Sequence, residues 1–330
     1  MNAVALHSPR PPSGGSPLLA PVVEAVGSRV NAELRRRQFQ RDPAFIERIF
    51  PAVRGLNLYF GTEFRGWEHV PRATPFLIVG NHSGGAESVD FWFLLYKWVQ
   101  ERGSAAPLYS LAYNLLFGAP LLGSTLRRLG IIPGSPVNAR RALRMGTAVS
   151  VFPGGDYEVF RPWRERNRID FGSHTGFIAL AIAMRVPVVP MTIHGAHQST
   201  LVLTRGQGIA HATGLDRLQV KGFPFIWSIP FGPAPAFVPS VQLPSKVTVH
   251  FGVPLDWSRY RRAQAHDPTV LRACYDEITA RMQKTLDRLA REHPHPVVDR
   301  LRELDFDRDV LRGILTPPPR HPRTPPARRP

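Results

Sequence analysis

The chain of 330 residues has a single cysteine, Cys274. One thiol closes no intrachain disulfide and supplies no thiolate-rich metal site, so a reducing cytoplasm is expected. No run of about 18 uninterrupted apolar residues occurs, and no transmembrane helix is expected. No basic start followed by an apolar core marks a secretory signal. Lysine is scarce, with four among the 42 basic residues, and acids number only 25, for a net charge of +17. Such a surface favours anionic partners: a membrane leaflet, nucleic acid or a phosphorylated ligand. Heavy arginine usage throughout the chain accounts for part of the excess, so charge alone does not choose among them. Several signatures are also missing. There is no G-x-S-x-G elbow, no H-E-x-x-H, no G-x-x-x-x-G-K-[ST] and no G-x-G-x-x-G. Serine hydrolases, zinc peptidases, nucleotide triphosphatases and dinucleotide enzymes each lack their usual mark.

What is present begins with two Pro-rich ends, residues 8–21 and 316–330. Neither composition supports a packed core, and both are expected to be disordered. The organisation expected is a tail (1–21), a helical segment (22–53), one main domain (54–300) and a C-terminal extension (301–330). Val22, Val26 and Val30 recur at helical spacing over 22–50, with a break at Asp42-Pro43. LNLYF (56–60) suggests a short strand. FLIVG (76–80) and AVSVFPGG (148–155) are apolar runs ended by glycine, as buried strands are. Residues 88–102 read as a helix with Ser88 as N-cap, and the apolar stretch 107–130 reads as helical. A helix over 174–184 runs into a strand over 187–193. Residues 245–255 alternate as a strand, and 268–292 form a closing helix. Strands alternating with helices predict an α/β domain with a mainly parallel central sheet flanked by helices. The loops GNHSGG, FPGG and HGAH each follow a strand, so they are expected to meet at one edge, beyond the strands' carboxyl ends. The stretch 222–246, aromatic and rich in proline, is expected to pack as an irregular apolar lid or to dip into a bilayer interface.

His82 follows the 76–80 strand and precedes Gly84-Gly85. A neutral imidazole removes a hydroxyl proton best when a carboxylate holds its other nitrogen. Two acids are near in sequence. Glu87 precedes the helix cap, where it could simply be solvated; Asp90 falls in the first helical turn, where it could serve the helix dipole. Residue chemistry leaves the choice open. In VFPGGDYE, the glycines offer backbone to a ligand and Glu158 a polar contact, against the plainer reading of a tight turn with solvated acids. Nearby arginines, Arg161 among them, are of the type that pairs with phosphate. His194 and His197 lack a further ligand cluster, and they read as loop residues rather than a metal site.

Four ordered blocks then carry a resemblance: GNHSGGAESVD, RRLGIIPGSPVNARRALRMGTAVSVFPGGDYE, RNRIDFGSHTGFIALAIAMRVPVVPMTIHG and LPSKVTVHFGVPLD. Together, over about Arg54 to Pro296, they resemble the phospholipid/glycerol acyltransferases, or lysophospholipid acyltransferases. The match is nearest an actinobacterial branch that also resembles diacylglycerol acyltransferases. The resemblance implies a histidine that deprotonates a glycerol hydroxyl and an aspartate that orients it. The acyl donor would be acyl-CoA or acyl carrier protein, with no other cofactor and no metal. The family spacing is His-x4-Asp, but the related branch has a longer HSGG loop, which makes Asp90 the partner of His82. Substrate contacts are then expected from Asn81, Ser83, Gly84, Gly85, Phe152, Pro153, Gly154, Gly155, Glu158 and Arg161. Many members carry Glu after the proline and Arg three residues later to hold an acceptor phosphate. Here those positions are Gly154 and Tyr157. A lysophospholipid acceptor is the first expectation; a mono- or diacylglycerol or a glycolipid is the alternative. The site of action is expected to be peripheral, at the inner face of the cell membrane, with membrane lipids as partners and no nucleic acid. A lipid-binding protein without catalysis on the same fold is the competing class.

Overall fold

The computed structural model describes residues 39–83, 89–206, 224–229, 231–236, 238 and 240–304. Both tails, the stretch 22–38, Gly84, Gly85, Glu87 and Ser88 lie outside these.

Asp42-Pro43 starts a helix rather than breaking one. The Asp42 side chain accepts the Phe45 amide and Pro43 takes the first turn of α1 (Pro43–Tyr59), where its missing N–H costs nothing. This helix absorbs LNLYF, which the sequence assigned to a strand. Val53 and Asn57 continue the buried stripe begun by Ile46 and Phe50, so helical packing decides the segment. The first strand is instead the short β1 (Glu63–Arg65).

The core is built on β2 (Phe76–Gly80), α2 (Asp90–Arg102), β3 (Leu108–Ala112), α3 (Pro120–Arg128), β4 (Ile131–Pro133), α4 (Pro136–Arg144) and β5 (Ala148–Val151). The stretch 107–130, expected to be helical, thus opens with a strand. Leu108 and Tyr109 are buried between β5 and β4, and the pairing overrides helical composition. There follow α5 (Gly155–Val159), α6 (Gly176–Met184), β6 (Val188–His194) and β7 (Leu201–Thr204). The chain closes with β8 (Phe225–Ser228), β9 (Gly232–Pro235), β10 (Thr248–Phe251), α7 (Pro268–Glu292) and α8 (Pro296–Glu303).

Seven strands form one sheet in the order β1-β10-β6-β2-β5-β3-β4. The five from β6 to β4 are mutually parallel; β10 runs antiparallel to β6, and β1 follows β10. The fold is therefore mixed α/β with a mainly parallel sheet, as expected. Strand β2 is buried on both faces. Leu77 and Val79 pack toward Ile178 of α6 and Ile278 and Met282 of α7. Phe76 and Ile78 pack the other way, against Phe93, Leu94 and Trp98 of α2. Side-chain alternation along one strand thus feeds two layers of helices.

The described part of 222–246 is regular over β8 and β9 and irregular over 240–246. Strands β7, β8 and β9 make a small antiparallel sheet with β9 at its edge. Pro233 and Pro235 lie on that edge strand, where a missing N–H leaves no ladder bond unmade. Among the described residues no helix is long and apolar enough to cross a membrane.

Candidate active site

Strands β2, β5 and β6 end side by side, and the three glycine-bearing loops leave from that edge. Gly80 closes β2 because nothing larger fits: a Cβ there would stand 2.7 Å from the Phe152 ring and 2.8 Å from Met191. Asn81 then spends both ends of its amide on the Ile193 main chain, at 2.9 and 2.7 Å, and locks the end of β2 to β6. His82 emerges next. Its ring stacks on Phe152 with centroids 4.8 Å apart, and its side chain is 21% exposed.

Asp90 opens α2 and is wholly buried. Its Oδ2 lies 2.6 Å from His82 Nδ1 and accepts the Ser83 amide at 2.8 Å, while Oδ1 accepts the Ser83 hydroxyl. A buried carboxylate needs such donors to stay charged, and the N-terminus of a helix adds to them. With Nδ1–H donating to the carboxylate, the imidazole lone pair falls on Nε2. Asp90 is the acid that meets the His82 ring at Nδ1.

A second buried carboxylate holds the main chain of the same histidine. Glu158 Oε2 accepts the His82 amide at 2.9 Å, and Oε1 accepts Arg161 Nη1 at 3.0 Å. Arg161 also donates to the Arg166 carbonyl at 3.3 Å. Its own carbonyl lies 2.8 Å from His197 Nε2. The loops after β2, β5 and β6 are thereby tied in series. Burial pushes the Glu158 carboxyl up to about 7, against the pull of Arg161 and the His82 amide. Burial holds His197 down at about 3 and His194 at about 4, so both are neutral near pH 7. His197, a loop residue by its sequence, is 3% exposed and enters the scaffold of the site. The signal was its place just beyond a buried strand, in HGAH.

Gly154 explains itself in the same way. A Cβ there would stand 2.4 Å from Glu158 Oε2 and 2.5 Å from Glu158 Cβ. Position 154, where the family resemblance puts a glutamate, is thus filled by the Glu158 side chain folding back from one helical turn later. Gly154→Ala is expected to displace Glu158 and to cost about 1–3 kcal/mol, as overpacking does. Denaturant midpoints of the two proteins measure this.

Four residues expected against substrate are turned inward. Asn81 and Ser83 are 1% exposed, their polar atoms taken by Ile193 and Asp90. Glu158 and Arg161 are buried as an ion pair. Arg161 Nη1 is thereby spent on the Glu158 carboxyl, inside the fold. Phe152, stacked on His82, and Pro153 and Gly155 that follow it remain partly exposed.

A partly exposed histidine held by a buried carboxylate, at the carboxyl edge of a parallel sheet, has the geometry of a general-base site. Residues 61–194 match the family model described as Acyltransferase. An uncharacterized protein of Mycobacterium tuberculosis is 29% identical over 280 residues, 84% of this chain and 76% of its own length. The chicken (Gallus gallus) protein named "DGAT1/2-independent enzyme synthesizing storage lipids" is 30% identical over 135 residues, 41% of this chain and 39% of its own length. The crystal structure of the 1-acyl-sn-glycerophosphate acyltransferase PlsC from Thermotoga maritima superposes with a TM-score of 0.47 at 17% identity. It covers 82% of this chain and 92% of PlsC. The family match takes in β2, β5 and β6, and both His82 and Asp90 lie within it.

Proposed function

We propose that the chain moves a fatty acyl group from a thioester donor, acyl-CoA or acyl carrier protein, to a free hydroxyl of a glycerolipid. His82 Nε2 takes the hydroxyl proton as the oxygen attacks the thioester carbonyl. Asp90 holds the ring and stabilises the imidazolium. The tetrahedral intermediate then collapses, the C–S bond breaks, and the departing thiolate recovers the proton. The observation that carries this reading is the 2.6 Å contact between His82 Nδ1 and a fully buried Asp90.

The acceptor in this reading is a neutral mono- or diacylglycerol rather than a lysophosphatidate. Arg161 is buried against Glu158, and Tyr157 stands where the family resemblance puts a phosphate-binding arginine. The name of the chicken relative, which concerns storage lipids, points the same way. The reaction takes place at the inner face of the cell membrane, from which the acceptor is drawn. The test is acyl transfer from labelled acyl-CoA or acyl carrier protein to monoacylglycerol, diacylglycerol, lysophosphatidate and glycerol 3-phosphate. Transfer to the neutral acylglycerols is expected to exceed transfer to the phosphorylated acceptors by at least about tenfold. The reverse order would overturn the acceptor. A thioester left intact with every acceptor would leave a lipid-binding protein.

A further inference from the structure

From Arg102 to Gly155 the chain has no Asp, Glu or Lys, yet six arginines. This stretch builds one flank of the molecule: β3, α3, β4, α4 and β5. Its surface combines one sign of charge with exposed apolar groups. Leu121 is 87% exposed, Tyr113 74% and Val137 70%, with Leu116 and Leu122 above 40%.

The two helices of this flank run the same way. Each starts at the edge where β3 or β4 ends and returns to the opposite edge. The apolar residues stand at or before their starts, on the edge from which β2 delivers His82. Strand β3 is two places from β2 in the sheet, which puts Tyr113 about 10 Å to one side of the loop bearing His82. The arginines come later. Arg144 is seven residues beyond Val137, about 10 Å along its helix, whereas Arg128, seven beyond Leu121, is held by Asp42 at 2.9 Å. Arg141 and Arg144 are exposed, and no carboxylate among the described residues pairs with either.

We propose that this flank is a docking surface for an anionic lipid bilayer, seated with the His82 edge toward the membrane. The apolar tips enter the interface, and the arginines one to two turns behind them meet the headgroup phosphates. A second protein would meet the same apolar tips, but Arg141 and Arg144, exposed and without a carboxylate partner among the described residues, fit a polyanionic plane better. The proposal rests on the lipid acyl transfer above for its purpose only, because its test needs no turnover.

The experiment is sedimentation of the full chain with vesicles of phosphatidylcholine and phosphatidylglycerol, or of phosphatidylcholine alone. The double variant Leu121→Ser/Leu122→Ser is expected to bind both kinds at least about tenfold more weakly. Arg141→Gln/Arg144→Gln should lose only the preference for anionic vesicles, together with its salt sensitivity. All these side chains are exposed, so unfolding midpoints should match wild type. His82→Ala should sediment like wild type, which separates failure of docking from failure of the catalytic reading. Unchanged binding in both double variants would overturn the proposal. So would loss of binding on Trp227→Ser/Phe231→Ser alone, since that would place the membrane contact on the small sheet. Concentration-dependent dimerisation abolished by Leu121→Ser/Leu122→Ser, with vesicle binding intact, would assign the patch to a second copy of the chain.

Discussion

His82→Ala is expected to lower acyl transfer by about 10²- to 10⁴-fold, the range a positioned general base supplies. The main-chain amide of residue 82 still reaches Glu158 in that variant, so the loop keeps its anchor and the loss belongs to the imidazole. Asp90→Asn is the sharper test. Asparagine fills the same space, and its oxygen can still accept from Ser83 N and His82 Nδ1 while its NH2 donates to the Ser83 hydroxyl. Geometry is kept and the charge alone is removed. An imidazolium forming in the transition state then has no anion beside it, and the expected loss is about 10²-fold or more. The double variant should be little worse than His82→Ala, because Asp90 acts through the ring that is gone. Glu87→Gln should retain activity. A large loss on Glu87→Gln with a small one on Asp90→Asn would mean that the acid has been misassigned.

The parts of this arrangement that the sequence revealed are those where one local pattern suffices. FLIVG, AVSV and VVPMTIH are central strands buried on both faces, and an unbroken apolar run cannot easily be anything else between glycine punctuation. Parallel strands then send their following loops to one edge, so GNHSGG, FPGG and HGAH were legible as neighbours. Short strands with mixed flanks were not. LYSLA pairs because two partners bury it, and nothing in its own composition separates it from the helical LLGSTLRR that follows. LNLYF has the content of a strand and the position of a helix end. The inward turn of Asn81, Ser83 and Arg161 was also invisible, because each is polar and each sits in a loop expected to face substrate. Only the distances to Ile193, Asp90 and Glu158 show that these groups are spent on the scaffold.

Glu158→Gln should separate stability from activity. The Glu158 carboxyl sits at about 7 in the folded chain against an ordinary 4.5, chiefly because it is buried. Below about 4.5 the folded and unfolded chains both hold its proton. Between 4.5 and 7 the unfolded chain releases the proton and the native state keeps it, so native stability falls as pH rises through that window. Above about 7 the full cost is present, on the order of 3 kcal/mol. Glutamine imitates the protonated form and does not titrate. Relative to wild type, Glu158→Gln is therefore expected to gain up to about 3 kcal/mol between pH 5 and pH 8, read from denaturant unfolding at each pH. A parallel pH dependence in the two proteins would show that the carboxyl is not raised. Activity should move the other way. An amide offers one oxygen to two donors, His82 N and Arg161 Nη1, and its NH2 then opposes whichever is left. A loosened His82 main chain tilts the ring off Asp90, and the expected cost is about tenfold in kcat with little change in KM. A buried charge that destabilises the fold and is nonetheless kept is accounted for if it holds the catalytic loop. Equal activity in the Glu158→Gln variant would remove that account and leave the Glu158–Arg161 pair a purely structural feature.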